Sequence, residues 1–389
     1  MPRFLCRFAA LAVLCAILTL RVGAAVSPCN EAAKLPLPST PAPQTSAKAM
    51  LLLEADEGIV LAQKNADVRL PMASTTKVMT ALVALETLSL DATVTVPHEA
   101  VGTEGSSIYL FEGEQITVRT LLYALMLSSA NDAAVALAIA AAGSVDAFVA
   151  LMNERAEALG LIDTHFCNPH GLHDEQHYTT AQDLARLYAA AMKNATFAEI
   201  TSTARYTAPQ SGTDAARLLV NHNRLLRTLE GTIGGKTGFT KAAGRCLVSA
   251  TRRDGLTLIA VTLHAPSDWE DHRALHEWGF SNYARYTLSP PAITLPVVGG
   301  ERETVTLTVG EHFSTLLPRD HAQILCKTEH PRFLYAGFAR GEQVGRVILE
   351  MNGEALAVLP LLTADACATP KKPTLWVRFR AFFSHSDTH

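Results

Sequence analysis

Apolar positions change their period along this chain, and each change marks an element. From Ala49 the text is strand-like: Met50-Leu-Leu-Leu-Glu54, a turn at Asp56-Glu-Gly58, then Ile59-Val-Leu-Ala62, which predicts a hairpin. Helical spacing follows. Thr76 to Leu88 sets Val78, Met79, Leu82, Val83 and Leu85 on one face, and Val118 to Ala142 is Ala/Leu-rich and apolar nearly all round, as a buried helix should be. Strand text returns at Cys246–Ala250 and Thr257–Leu263, around a turn at Arg253-Asp-Gly255. Strands at both ends with helices between predict an α+β domain whose first and last strands share one sheet. Beyond Ser289-Pro-Pro291 the period becomes two, at Thr304–Val309, Gln343–Leu349 and Ala355–Leu361. Residues 291–366 therefore read as a small β domain, with no residue constellation that suggests chemistry.

The two ends have a different texture. Arg3 and Arg7 precede an unbroken apolar run, Phe8 to Leu20, and Gly23, Ala24 and Ala25 offer a cleavage site, so residues 1–25 read as a secretory signal. Residues 26–47, with Pro36, Pro38, Pro41 and Pro43, read as an extended linker. At the other end Leu375, Trp376, Phe379, Phe382 and Phe383 share one helical face, with Arg378 and Arg380 off it and Lys371 and Lys372 before it. An aromatic face beside a basic one is how an interfacial helix lies among lipid headgroups, so residues 371–389 are expected to associate with a membrane surface. Five cysteines would survive cleavage, Cys29, Cys167, Cys246, Cys326 and Cys367. Their odd number and scattered spacing fit neither a disulfide scaffold nor a zinc module.

Composition narrows the partners. The chain has 389 residues, 48% of them hydrophobic and 18% charged, which excludes a largely disordered protein. Thirty-three basic residues against 37 acidic give a net charge of −4, without the basic surplus that nucleic-acid binding needs. No apolar run reaches the length of a membrane-spanning helix.

Three short motifs carry the chemistry. In Pro71-Met-Ala-Ser-Thr-Thr-Lys-Val78, Ser74 opens a predicted helix and Lys77 lies three residues on, on the same face. A serine hydroxyl is a weak nucleophile that needs a base beside it, and a lysine serves once desolvation or a neighbouring cation lowers its pKa. Ser-x-x-Lys by itself is common, since serine is a good N-cap. Ser128-Ser-Ala-Asn131 then interrupts an apolar run and presents a hydroxyl, Ser129, and an amide, Asn131, between two buried helices. Gly234-Gly-Lys-Thr-Gly238 offers an ammonium (Lys236), a hydroxyl (Thr237) and a glycine (Gly238) that lets a ligand approach the backbone. Gly231 is one position out of register for a phosphate-binding loop.

In this order the three motifs resemble those of the penicillin-recognising serine enzymes, and among them the low-molecular-weight D-alanyl-D-alanine carboxypeptidases of peptidase family S11. Phe166-Cys-Asn-Pro-His-Gly-Leu172, His177-Tyr-Thr-Thr-Ala181, the text from Lys236 to Cys246 and Leu275-His-Glu-Trp-Gly-Phe280 extend the likeness over residues 48–285. The resemblance implies a penicillin-binding/β-lactamase-like transpeptidase fold, an antiparallel sheet plus a helical subdomain, followed by a small all-β domain. It implies Ser74 as nucleophile, Lys77 as its base and Ser129 as proton relay. Asn131, Lys236, Thr237, Gly238 and Phe239 would bind substrate, with the Ser74 and Phe239 amides as the oxyanion hole. The expected substrate is the D-Ala-D-Ala end of a peptidoglycan stem peptide, with β-lactam antibiotics as inhibitors and no metal or other cofactor.

Neighbouring readings differ in detail. A class A β-lactamase would carry Ser-Asp-Asn where this chain has Ser129-Ala-Asn131, and a deacylating Glu-x-x-Leu-Asn segment that is absent here. A D,D-endopeptidase would share the chemistry but usually lacks the second domain. His165, Cys167, His170, His173 and His177, with Asp163 and Asp174, have metal-compatible spacing, though the segment resembles the family's connecting loop. One departure stands out: where many relatives have a basic residue after the last catalytic strands, Pro266-Ser-Asp-Trp-Glu-Asp-His-Arg273 is acidic, leaving Arg273 as the candidate.

Overall fold

The computed structural model describes residues 38–209, 215–310 and 312–369. The expected signal (1–25) and membrane-associating tail (371–389) lie outside the described residues. The first hairpin forms as its alternation predicts, from β1 (Ala49–Glu54) and β2 (Ile59–Lys64), antiparallel. A 3₁₀ turn at Ala73–Thr76 leads into α1 (Lys77–Thr87). A small ladder of β3 (Thr93–Thr95) and β4 (Gln115–Thr117) precedes the long apolar stretch. That stretch is not the single helix its apolar period suggests but two, α2 (Val118–Leu127) and α3 (Asn131–Ala142), parted at the Ser128–Asn131 interruption. The break comes at Ser129, whose φ of 59° is left-handed and cannot continue a helix. Gly143, at φ 80°, ends α3.

Next come α4 (Val145–Ala158) and α5 (Ala181–Met192), whose first turns are capped by the Ser144 and Thr180 side chains, and then α6 (Ala195–Ser202). A hairpin of β5 (Arg205–Pro209) and β6 (Ala216–Val220) and a single turn, α7 (Leu225–Thr228), precede three long strands. These are β7 (Thr232–Thr240), β8 (Gly244–Arg253) and β9 (Leu256–Leu263). The central sheet is antiparallel with order β2-β1-β9-β8-β7, so the first and last strands of the domain do pair. One face carries the helical core, with Val78, Leu121, Leu137 and Val248 fully buried. α8 (Asp268–Asn282) covers the other face.

From β10 (Tyr283–Leu288) to Thr369 the described residues are strand and turn. β11 (Ile293–Val298), β12 (Thr304–Val309), β13 (Phe313–Pro318), β14 (Leu325–Glu329), β15 (Leu334–Tyr335), β16 (Gln343–Met351) and β17 (Glu354–Thr363) follow. Six form one sheet in the order β14-β16-β17-β12-β11-β15, while β10 pairs β13. Its core is small: Leu295, Val305, Leu307, Val347 and Leu361. Arg285 on β10 joins this part to the first hairpin, reaching Glu54 at 2.6 Å and Glu57 at 2.7 Å. The described part of the Pro-rich stretch lies against α8: Ser46 bonds Asp271, and the Trp278 indole donates to the Thr40 carbonyl.

Candidate active site

The Ser74 turn is built under strain. Ala73 has φ 47°, a costly value for a residue with a Cβ, immediately before Ser74 in the 3₁₀ turn that runs into α1. Lys77 follows as the first residue of α1, so its side chain rises on the same side, and its Nζ lies 3.0 Å from Ser74 Oγ. The same Nζ is 2.7 Å from Asn131 Oδ1 and 2.6 Å from the His170 carbonyl. Asn131 opens α3 and its amide nitrogen is held by the Glu104 carbonyl. Two glycines permit this crowding. A Cβ at Gly171, where φ is 90°, would lie 2.0 Å from the Ala73 carbonyl oxygen. One at Gly238 would lie 2.9 Å from the Ser74 nitrogen.

Lys77 is completely buried. Burial, and next the charge of Lys236, drive its pKa well below the ordinary lysine value, with Asp132 opposing. In its neutral form the amine has two N–H donors and one lone pair. Asn131 Oδ1 and the His170 carbonyl can only accept, so they take the two hydrogens and leave the lone pair facing the Ser74 hydroxyl. A second buried lysine completes the group. Lys236, on β7, donates to Ser129 Oγ at 2.9 Å and to the Thr237 carbonyl at 2.8 Å, and burial lowers its pKa to about 7.

Ser74, Ser129, Thr237, Gly238 and Phe239 line one cavity of about 510 Å³, with Lys77, Asn131 and Lys236 buried behind its floor. The seven residues read from the three motifs, and Phe239 from the resemblance, are thus gathered in one place. β7 is an edge strand of the sheet; the outer backbone groups of Gly235 are taken by Thr201, and the exposed Phe239 end of the strand borders the cavity.

The motifs did not reveal the far wall of this cavity. Arg224, Arg227 and Arg245 line it, with His222, Asp268 and Trp269. Arg245 sits across from Phe239 in the β7–β8 ladder and is held by Asp268 at 2.8 Å. The Arg224 and Arg245 guanidinium carbons each lie 5.9 Å from the Trp269 ring centre. Arg273 is exposed on α8 and is not among the lining residues, so the cavity's cations come from α7, its flank and β8. The Gly-Arg-Cys246 text was the available signal. The His170 carbonyl gave none, because a backbone acceptor leaves no mark in side-chain identity.

Asp132, beside Asn131, has a structural part. Its buried carboxylate takes the Ser107 hydroxyl and the Ile108 and Leu110 amides, fixing the loop that carries the cavity residue Ser106. The histidine-rich loop spends its nitrogens on the protein itself. His177 Nε2 lies 2.7 Å from Thr76 Oγ1, its Nδ1 accepts from the Cys167 amide, and His165 Nδ1 bonds the Gln176 carbonyl. Among the described residues no three His, Cys, Asp or Glu side chains are placed to hold a metal, and Cys167, Cys246, Cys326 and Cys367 are unpaired.

Comparison with known proteins gives the same picture over a longer stretch. Residues 37–267 match the D-alanyl-D-alanine carboxypeptidase family, peptidase family S11. The chain is 33% identical over 332 residues to the D-alanyl-D-alanine carboxypeptidase DacF of Bacillus subtilis, covering 82% of this chain and 85% of that protein. It superimposes on the crystal structure of penicillin-binding protein 5 from Haemophilus influenzae with TM-score 0.65 and 28% identity, over 85% of this chain and 99% of that one. A mutant of the Streptomyces K15 DD-transpeptidase matches at 37% identity and TM-score 0.59 over 61% of this chain and 99% of its own. A strained serine turn, a buried lysine pair and a family match across the whole catalytic sheet lead to one conclusion: this chain is a member of the serine D-alanyl-D-alanine carboxypeptidase family, the low-molecular-weight penicillin-binding proteins.

Proposed function

We propose that this carboxypeptidase removes the terminal D-alanine of peptidoglycan pentapeptide stems through an acyl-enzyme on Ser74. The observation that carries the reading is the 3.0 Å contact between Ser74 Oγ and a fully buried lysine whose pKa burial drives well below the ordinary value. Lys77 takes the Ser74 proton as Oγ attacks the carbonyl carbon of the penultimate D-alanine. The Ser74 and Phe239 amides bind the oxygen that becomes negative. Ser129, beside Lys236, passes a proton to the departing nitrogen, the C–N bond breaks and D-alanine leaves; water then hydrolyses the Ser74 ester. Penicillins acylate the same oxygen.

A free C-terminal carboxylate needs cations. Lys236 with Thr237 supplies the inner anchor, and the Arg245–Trp269–Arg224 wall supports a second. That wall suits a leaving group that carries a free carboxylate. Residues 1–25 direct the chain across the membrane, and residues 371–389 hold it at the extracytoplasmic surface, where the wall is trimmed.

The test is release of D-alanine from a D-Ala-D-Ala pentapeptide, with and without penicillin. Ser74→Ala is expected to abolish both release and covalent penicillin labelling. Stable labelling of that variant would overturn the assignment.

A further inference from the structure

The end of the β domain carries an apolar strip that its core does not use. Tyr335 on β15 is 71% exposed, Phe333 two residues before it is 42% exposed, and Val298, paired with Tyr335, is 46% exposed. The two rings meet edge to face, 5.2 Å apart, so they form one surface rather than separate exposed residues. Single exposed apolar side chains are ordinary; a contiguous aromatic strip points to something that covers it. Strand addition is a poor explanation, because β15 has two residues and offers almost no ladder.

The chain itself leaves from this strip. Cys367 pairs with Phe338, its carbonyl accepts from the Gly337 amide at 2.7 Å, and its sulfur packs where Gly300 and Ala336 meet. The Thr369 methyl lies 3.4 Å from where a Cβ on Gly337 would be. Two residues further on come Lys371 and Lys372, and then the aromatic face built on Leu375, Trp376, Phe379, Phe382 and Phe383.

We propose that Phe333, Tyr335 and Val298 enter the interfacial layer of the same bilayer that the C-terminal segment binds, making a second point of membrane contact. The inference rests on the reading of residues 371–389 as membrane-associating. Tyrosine and phenylalanine beside an arginine, here Arg332, suit the headgroup boundary, where the ring is buried and the polar end stays wet. Around the strip charge is close to balanced: Glu301 and Glu303 lie in the adjoining turn, and Arg302 is taken by Asp365 at 2.8 Å. Attraction to anionic lipid therefore comes from Lys371, Lys372, Arg378 and Arg380, while the strip adds apolar burial. Arg285, reaching from β10 to Glu54 and Glu57 of the first hairpin, ties the β-rich part to the catalytic domain.

Partitioning onto vesicles of mixed phosphatidylethanolamine and phosphatidylglycerol tests this, with residues 1–25 omitted from every protein because their own apolar run would bind. Phe333→Ser with Tyr335→Ser should weaken partitioning about tenfold at both low and high salt, because an apolar term is not screened. D-alanine release from a soluble pentapeptide should stay unchanged. Leu325→Ser, at the opposite edge of the same sheet, should leave partitioning at the parent level, and Tyr335→Trp should strengthen it. Partitioning within twofold of the parent for the double variant, or an increase, overturns the proposal; an increase would mean that the strip masks the C-terminal segment. Parent-level binding by a chain ending before Lys371 overturns the reading of that segment instead, so the two failures are separable.

Discussion

Two groups of buried titratable side chains lie on opposite faces of the central sheet, and they use the same physics to different ends. On the helical face, Lys77 and Lys236 are deprived of water and lean toward neutrality. On the α8 face, His272 and His276 are buried completely, and burial pushes both far below the ordinary histidine value, His276 to about 3. Ser249 Oγ lies 2.7 Å from His272 Nδ1 and 2.9 Å from His276 Nε2, and Thr262 lies 3.0 Å from His272 Nε2. A perturbed pKa is thus no sign of catalysis by itself. The lysine pair serves chemistry because a cavity reaches Ser74 and Ser129, the hydroxyls it activates; the histidine pair is sealed, and its hydroxyl joins a helix to a strand.

Breaking the comparison on the lysine side should have the larger effect. Lys236→Gln is expected to slow penicillin acylation by about 10²–10⁴, the range for losing a group in proton transfer. Its pH profile sharpens the point. In the parent, activity falls on the acid side as Lys77 gains a proton, and on the alkaline side as Lys236, with a pKa of about 7, loses its charge. Without Lys236 the alkaline limb should vanish. The acid limb should move to higher pH, because the cation that helps keep Lys77 neutral is gone. An acid limb that stays in place would break the coupling between the two lysines.

An intermediate effect is expected at the cavity's far wall. Arg245→Gln should raise KM for a pentapeptide about tenfold with kcat little changed, as for loss of a hydrogen bond to a charged group. An amide-capped substrate should lose nothing. Equal losses on both substrates would show that Arg245 serves packing against Asp268 and Trp269 instead.

The smallest catalytic effect belongs to the histidine side. Ser249→Ala leaves two ring nitrogens without their partner and should lower stability by about 1–3 kcal/mol, with kcat unchanged for the folded enzyme. The sign of the pH dependence follows from the depressed values. Both histidines stay neutral when folded and charge at about 6.5 when unfolded, so the unfolded chain binds more protons in acid. Their contribution is complete above about pH 6.5 and falls as pH drops toward the folded-state value of about 3 for His276. Melting temperature against pH should show this loss over that window. A drop in kcat for Ser249→Ala would erase the distinction between the two faces.

Much of this was legible in the sequence, and for identifiable reasons. The β1–β2 hairpin, α1, β8, β9, β12, β16 and β17 follow from period and turn residues within a few positions, since burial on one face imposes its own spacing. The α2–α3 pair was harder: apolar text runs almost unbroken from Val118 to Ala142, and the break depends on one left-handed serine. β5, β6 and β14 carry little periodicity because most of their residues are exposed. The three motifs named the inner site because it is made of side chains whose identity the chemistry restricts. The arginine wall escaped because Arg224 just before α7, Arg227 on α7 and Arg245 on β8 share no spacing.

The sequence by itself determined which groups could react: a serine three residues from a lysine, a second hydroxyl and amide, and a second lysine before a glycine. It also determined the alternation that makes a sheet flanked by buried helices. Only the tertiary structure decided that Lys77 is a base. Its proton affinity depends on the water it has lost, on Lys236 approaching from a strand far along the chain, and on two acceptors that turn its lone pair toward Ser74. Charge state is a property of surroundings, and the surroundings of Lys77 exist only once the chain has closed around it.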